Sequence, residues 1–243
     1  MKRLVAVLFV FASCLGAADF WQSRPSSEWS DKDLQKMLTN SPWARPSSVA
    51  LSGPATDAVT AAGNSGADPG TPPPLSEGGG GRGGRSGGGR AGGGAPAAEG
   101  VSTTFVARWQ SALPVKQAFV RLKYGAQAAT SPEARQALEH EETNYLIVLS
   151  GPLRSFLRGD PETLKKTIMD MTSLSVKGKE AVKPTDLQIA LNQRSSDIVF
   201  FFPRSAPFTL DDKEVEFSTK TGDVTLKYKF RLKDMVYNGK LEL

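Results

Sequence analysis

Between Trp43 and Phe105 the chain has no aromatic residue, and 17 of its 24 glycines lie between Gly53 and Gly100. A stretch so poor in large apolar side chains cannot offset the entropy of ordering its backbone, so residues 47–100 read as a disordered Gly/Pro-rich linker. The run Pro72-Pro73-Pro74 fits the same reading. Of the 243 residues, only the stretch 101–243 is then long enough to bury a sizeable core. The chain divides into a signal segment at 1–18, a Trp-rich amphipathic helix segment at 19–46, the linker, and an α+β domain at 101–243.

Met1-Lys2-Arg3 is a short cationic start, Leu4 to Leu15 is nearly all apolar, and Gly16-Ala17-Ala18 follows. This is the layout of a secretory signal cut after Ala18, which places the mature chain in the periplasm or outside the cell. The apolar run is shorter than the roughly 20 residues that cross a bilayer as a helix, and no later segment qualifies. The mature chain is therefore expected to lack a transmembrane helix. The alternative is a lipoprotein anchored through Cys14, because small residues precede that cysteine.

Residues 19–46 hold Trp21, Trp29 and Trp43 around a compact helix signal. Ser30 is placed as N-cap with Asp33 three residues on, and Trp29 before the cap can pack against Leu34. Leu34, Met37 and Leu38 make one apolar face, Asn40 ends the helix and Pro42 forbids its continuation. A helix of about ten residues is unstable alone in water, so this face requires a partner surface. Trp21, Trp29, Leu34, Met37, Leu38 and Trp43 are thus candidate binding residues. They dock either on the chain's own C-terminal domain, with Trp29 and Trp43 as anchors, or on an envelope protein partner, and the tryptophans could also stack on carbohydrate.

In 101–243 the patterning predicts a mixed, mostly antiparallel sheet with about three helices. Phe105, Ala107 and Trp109 alternate as one strand face. Val115, Ala118, Phe119 and Leu122 recur at helical spacing after Pro114, and Ser131-Pro132 and Asp160-Pro161 open two further helices. Leu164, Ile168 and Met171 are expected on one face of the last of these. Tyr145 to Leu149 reads as a central strand, and Leu187 to Leu191, Ile198 to Phe202, Val215 to Thr219 and Val224 to Leu232 as later ones. A turn at Thr221-Gly222 pairs Phe217 with Leu226, Val215 with Tyr228, Glu216 with Lys227 and Glu214 with Lys229. Asn238-Gly239 supplies a second hairpin that sets Val236 opposite Leu241.

The run Trp29-Ser30-Asp31-Lys32-Asp33-Leu34 with Leu38-Thr39-Asn40-Ser41-Pro42-Trp43-Ala44 resembles the start of a group of exported bacterial proteins of acidobacterial type. Arg108 to Pro114 and Phe230 to Tyr237 resemble later parts of the same group. The likeness skips the glycine-rich stretch, and it implies source and export without an activity.

One Cys and one His exclude a disulfide framework, a Cys-rich zinc site and a histidine-rich metal centre, so no cofactor and no metal are expected. His140 lies in Glu139-His140-Glu141-Glu142, which lacks the second His of a zinc-binding helix motif. Gly84-Arg85-Ser86-Gly87-Gly88 matches a nucleophile-elbow pattern without the strand and helix that would make it one. Arg82, Arg85 and Arg90 sit among glycines with no aromatics to stack bases, and a net charge of +5 spread along the chain does not imply nucleic acid. Lys227, Lys229 and Arg231 share a strand face whose acidic neighbours weaken any anion platform. The inventory points to a non-enzymatic binding or assembly component of the bacterial cell envelope. The alternative is a secreted hydrolase using carboxylate acid/base chemistry, with Glu139, Glu141 or Asp211 as its candidates.

Overall fold

The computed structural model describes residues 19–51, 101–157, 159–191 and 196–243. The signal segment, Cys14 and residues 52–100 of the expected linker lie outside them. Within the described residues the chain is an α+β protein with five helices and antiparallel strand pairing. None of these helices is long and apolar enough to cross a membrane.

A four-residue turn of helix, α1 (Phe20–Ser23), precedes α2 (Asp31–Thr39). The cap of α2 forms as the sequence predicts. The Asp33 N–H donates to the Ser30 hydroxyl and the Ser30 N–H donates to the Asp33 carboxylate, so two orphan donors of the first turn are satisfied. The chain then enters β1 (Ala44–Leu51), which pairs along its length with β2 (Val101–Trp109). After α3 (Leu113–Tyr124) and α4 (Pro132–Glu139) comes β3 (Asn144–Gly151). Then follow α5 (Pro161–Asp170), the short β4 (Ser173–Ser175), β5 (Asp186–Leu191) and β6 (Ser196–Pro203). The chain ends in β7 (Glu214–Thr221), β8 (Val224–Arg231) and the small hairpin β9 (Val236–Tyr237) and β10 (Lys240–Leu241). One sheet has the order β1-β2-β3-β6-β5 and a second β4-β7-β8.

The apolar run of β3 occupies the centre of the larger sheet, with Ile147 opposite Phe200 and Leu149 opposite Ile198. The two sheets meet through aromatic rings. Phe200 lies 5.4 Å from Phe217, and Trp109 lies 5.9 Å from Phe230, both edge-on. All four rings are buried in one continuous cluster.

Two expectations are corrected. The ordered N-terminal segment does not end at residue 46, because Ser47 to Leu51 continue β1. Ser47 and Ser48 belong to the expected linker yet lie in β1, and Pro46 is accommodated because β1 is an edge strand, where a proline that cannot donate a ladder hydrogen bond is tolerated. Residues 52–100 therefore join Leu51 to its own pairing partner Val101 rather than a peptide to a separate domain.

The β7–β8 register is displaced by two residues from the predicted one. Phe217 faces Tyr228, Val215 faces Phe230 and Thr221 faces Val224, so the two-residue turn is Gly222-Asp223. Gly222 has φ +60°, and the first position of such a turn needs this conformation, which a β-branched Thr221 would resist. A slip of two keeps every side chain on its face, so Lys227 and Lys229 still reach Glu216 and Glu214 diagonally, at 3.8 and 3.2 Å. The second hairpin forms as expected, with Leu241 opposite Val236 and both Asn238 and Gly239 at positive φ.

Loop closure by a glycine-rich chain of about 50 residues costs roughly 2–3 kcal/mol more than closure by a two-residue turn. Replacing residues 52–100 by Asn-Gly is expected to leave the fold intact and raise the melting temperature by several degrees. A lower melting temperature in calorimetry would show that the insertion contributes packing.

Several carboxylates are held below their ordinary value of 3.8 by fixed donors. Asp160 caps α5 by accepting the Thr163 N–H at 2.9 Å, and Lys165 holds Asp186 at 2.6 Å. Slight burial pushes Asp33 up, but the Ser30 and Arg24 bonds outweigh it and the net shift is downward. Because these folded-state pKa values are depressed, the stability they contribute is full above the unfolded value and falls as the pH drops through the folded ones. Denaturant midpoints are therefore expected to hold constant down to about pH 5 and then decline towards pH 2. In Asp33→Asn and Asp160→Asn the decline should be shallower.

Candidate functional site

The six candidate binding residues are all in the core. Trp21 is 6% exposed, Trp29 3%, Leu34 2%, Met37 0%, Leu38 6% and Trp43 0%, in one cluster with the sheet residues. Phe20 stands edge-on to Trp21 and Trp29 at 4.9 and 5.3 Å, and Trp21 edge-on to Trp43 at 6.0 Å. The Trp29 indole donates to the Arg24 carbonyl at 3.2 Å and the Trp43 indole to the Glu242 carbonyl at 2.8 Å. From the sheet, Arg108 donates to the Leu38 carbonyl at 3.3 Å while its guanidinium stacks on Phe119. These side chains pack against their own chain, which leaves their faces covered.

The polar residues singled out earlier are dispersed. Glu139 ends α4, His140 is two-thirds exposed with its Nε2 3.6 Å from Glu142, and Glu141 is exposed beside it. Asp211 is exposed in the turn before β7, and its neighbour Asp212 is bound to Lys179 at 2.5 Å and to the Thr209 N–H. Among the described residues no three His, Cys, Asp or Glu side chains converge as a metal site would require. The cations of β8 are paired in the same way, Arg231 with Asp234 at 2.9 Å beside the two lysines already described.

What remains open is a groove of about 420 Å³ between α5 and the β7–β8 turn. Phe156, Leu164, Ile168 and Met171 line it with apolar surface, Thr163 and Thr167 with hydroxyls, and Asp160 and Lys220 with charge. The helix is positioned by its own sequence, since the Asp160 cap and Pro161 start it and Ile168 anchors it at 1% exposure. Just beyond its end, the Thr172 hydroxyl contacts the Thr219 hydroxyl at 2.7 Å and ties the helix to β7. Met171 shares this face with Leu164 and Ile168, as the helical spacing predicts. It lies past the last helical turn and is 55% exposed.

A second hollow of about 400 Å³ is polar, bordered by Gln22, Arg24, Gln117 and Asn238 around Trp21 and Tyr237. The Tyr237 hydroxyl donates to Gln117 at 2.9 Å and Gln22 donates to the Val236 carbonyl at 2.6 Å, so its amides are engaged within the chain.

Helical spacing marked Leu164, Ile168 and Met171, but nothing in the sequence distinguished Phe156 or Lys220 from ordinary loop and strand residues. Compared with family profiles, curated proteins and solved structures, the chain matches none.

Removing the fully buried Trp43 deletes ring packing against Trp21 and Tyr237 and leaves the Glu242 carbonyl without its donor. Trp43→Ala is expected to cost about 3–5 kcal/mol in urea unfolding. A loss below about 1 kcal/mol would show that the N-terminal segment is not part of the core.

Proposed function

We propose that this chain is an exported, non-enzymatic binding or assembly component of the bacterial cell envelope, belonging with the acidobacterial-type exported proteins that its Trp29 to Ala44 run resembles. The groove beside α5 carries this reading. It is an exposed apolar hollow of about 420 Å³, within the range of sites that take a small molecule or a short segment of another chain. Met171 at its edge is a flexible, polarizable side chain suited to such a contact. The carboxylates considered for hydrolysis, Glu139, Glu141 and Asp211, are all exposed to solvent, with Asp211 in a different part of the chain from the other two. Export is supported by Met1-Lys2-Arg3, the apolar run after it and Gly16-Ala17-Ala18. The mature chain then begins at Asp19 and resides in the periplasm or outside the cell, whereas a lipid on Cys14 is the competing outcome.

The test is a photocrosslinking residue at position 171 or, as control, at position 133 on α4, with the protein produced in its native envelope. The expected result is an N-terminus at Asp19 and a discrete adduct mass at position 171 that is lost on Leu164→Lys. Equal labelling at both positions, or recovery from the cytoplasm with residues 1–18 attached, would overturn the proposal.

A further inference from the structure

The five-stranded and three-stranded sheets end in four edge strands, and three of those edges are blocked. β1 carries Pro46 and runs beside β8, and β8 holds Lys227, Lys229 and Arg231 out to solvent. Proline and cations are residues with which natural sheets prevent further pairing. On the third, β4, the outer side is occupied, because Leu174 exchanges both backbone bonds with Val182 at 2.9 and 2.8 Å. The fourth, β5, has neither proline nor cation between Asp186 and Leu191, and no strand lies beyond it among the described residues.

One hydrogen bond shows which groups of β5 face outward. The Leu187 N–H donates to the Asp186 carboxylate at 2.8 Å, so it points away from β6. Alternate residues of an antiparallel strand direct both backbone groups to the same side. The N–H and C=O of Ile189 therefore also point outward, together with the Leu187 C=O and the Leu191 N–H. Asp186 is held by Lys165 at 2.6 Å, so the edge carries no net charge. Ile189 stands opposite Ile198 on the inner face but is only partly buried, whereas Ile198, one strand further in, is 0% exposed. Gln188 and Ala190 are exposed on the other face.

We infer that β5 is the edge through which two copies of this chain pair, antiparallel about a two-fold axis at Ile189. This register sets Ile189 opposite its own copy on the inner face and Gln188 opposite Ala190 of the partner subunit on the outer one. The two Ile189 N–H groups donate to the Ile189 carbonyls across the axis, and each Leu191 N–H donates to the Leu187 carbonyl of the other copy. No existing bond is broken, and Leu187 keeps its Asp186 acceptor. Asp186 falls beyond the end of the opposing strand, so no like charges are opposed. An edge without net charge selects neither a cationic nor an anionic peptide, while a second copy supplies the same period-two pattern in register. Six residues a side is well below the roughly 20–30 of a standard interface, so the dimer is weak, with a Kd on the order of 0.1 mM. The edge shares no residue with the groove beside α5, and the inference goes beyond the binding function proposed from it.

The experiment is sedimentation equilibrium of the full exported chain from about 10 µM to about 1 mM, with amide hydrogen exchange at both ends of that range. The mass should rise from monomer towards dimer, and the Ile189 amide should become protected several-fold at the higher concentration. Ile189→Pro removes an outward N–H without touching the β5–β6 ladder and should keep the chain monomeric throughout. Gln188→Lys should weaken the dimer several-fold, and adding Ala190→Glu, which lies directly across the axis from it, should restore the affinity. If Ile189→Pro lowers the melting temperature enough to unfold the chain, the charge pair decides.

A monomer at every concentration would overturn the inference. So would a dimer that persists in folded Ile189→Pro, a loss in Gln188→Lys that Ala190→Glu does not reverse, or concentration-dependent protection that falls on β8 rather than β5.

Discussion

The antiparallel ladder between β1 and β2 is the interaction on which the rest of the structure depends. Its eight β1 residues run from Ala44 opposite Arg108 to Leu51 opposite Val101, and they bring the first ordered segment of the chain into the main sheet. At the inner end the Trp109 N–H donates to the Trp43 carbonyl at 2.8 Å, while the Trp43 indole donates to Glu242 near the C-terminus. One residue thus joins the start, middle and end of the chain. Helices as short as α1 and α2 have little stability of their own, so the tryptophans are ordered because the ladder supplies a surface for them.

Around that ladder the core is built from rings. Trp109 contacts Tyr145, Phe208 and Phe230 at 5.4, 6.3 and 5.9 Å, linking both sheets to the segment before β7. Such packing buries large areas with few rotatable bonds, which offsets some unmade polar contacts. The Trp109 indole N–H and the Tyr228 hydroxyl are buried without a hydrogen-bond partner among the described residues. Burial also pushes the Tyr228 pKa far above its ordinary range, so the phenol stays neutral at every physiological pH.

The groove arises where this packing stops. Ile168 reaches the core, while Leu164 is only partly buried and Met171 is 55% exposed. Helical periodicity marks the apolar face of α5 without indicating how much of it the sheet will cover. That depends on β5 and β7, which come later in the chain and pack against α5.

Local chemistry was legible in the sequence wherever a short-range rule governed it. The Ser30 capping box, the Ser131-Pro132 and Asp160-Pro161 starts, the Asn238-Gly239 turn and the alternation of β8 follow from side chains within a few residues of each other, and all are present. The pairing of Leu51 with Val101 was not legible, because the intervening glycine-rich residues carry no pattern and Pro46 resembles a loop signal. The β7–β8 register was half legible: period-two alternation determines the buried face but is blind to a two-residue slip, which the φ requirement at Gly222 resolves. Composition and spacing alone therefore determined the α+β class, the helix starts and the inward faces of β7 and β8. Tertiary structure alone decided that the tryptophan segment is core and that Phe156, Met171 and Lys220 line one groove, because long-range contacts depend on the whole chain's packing and leave no local signature.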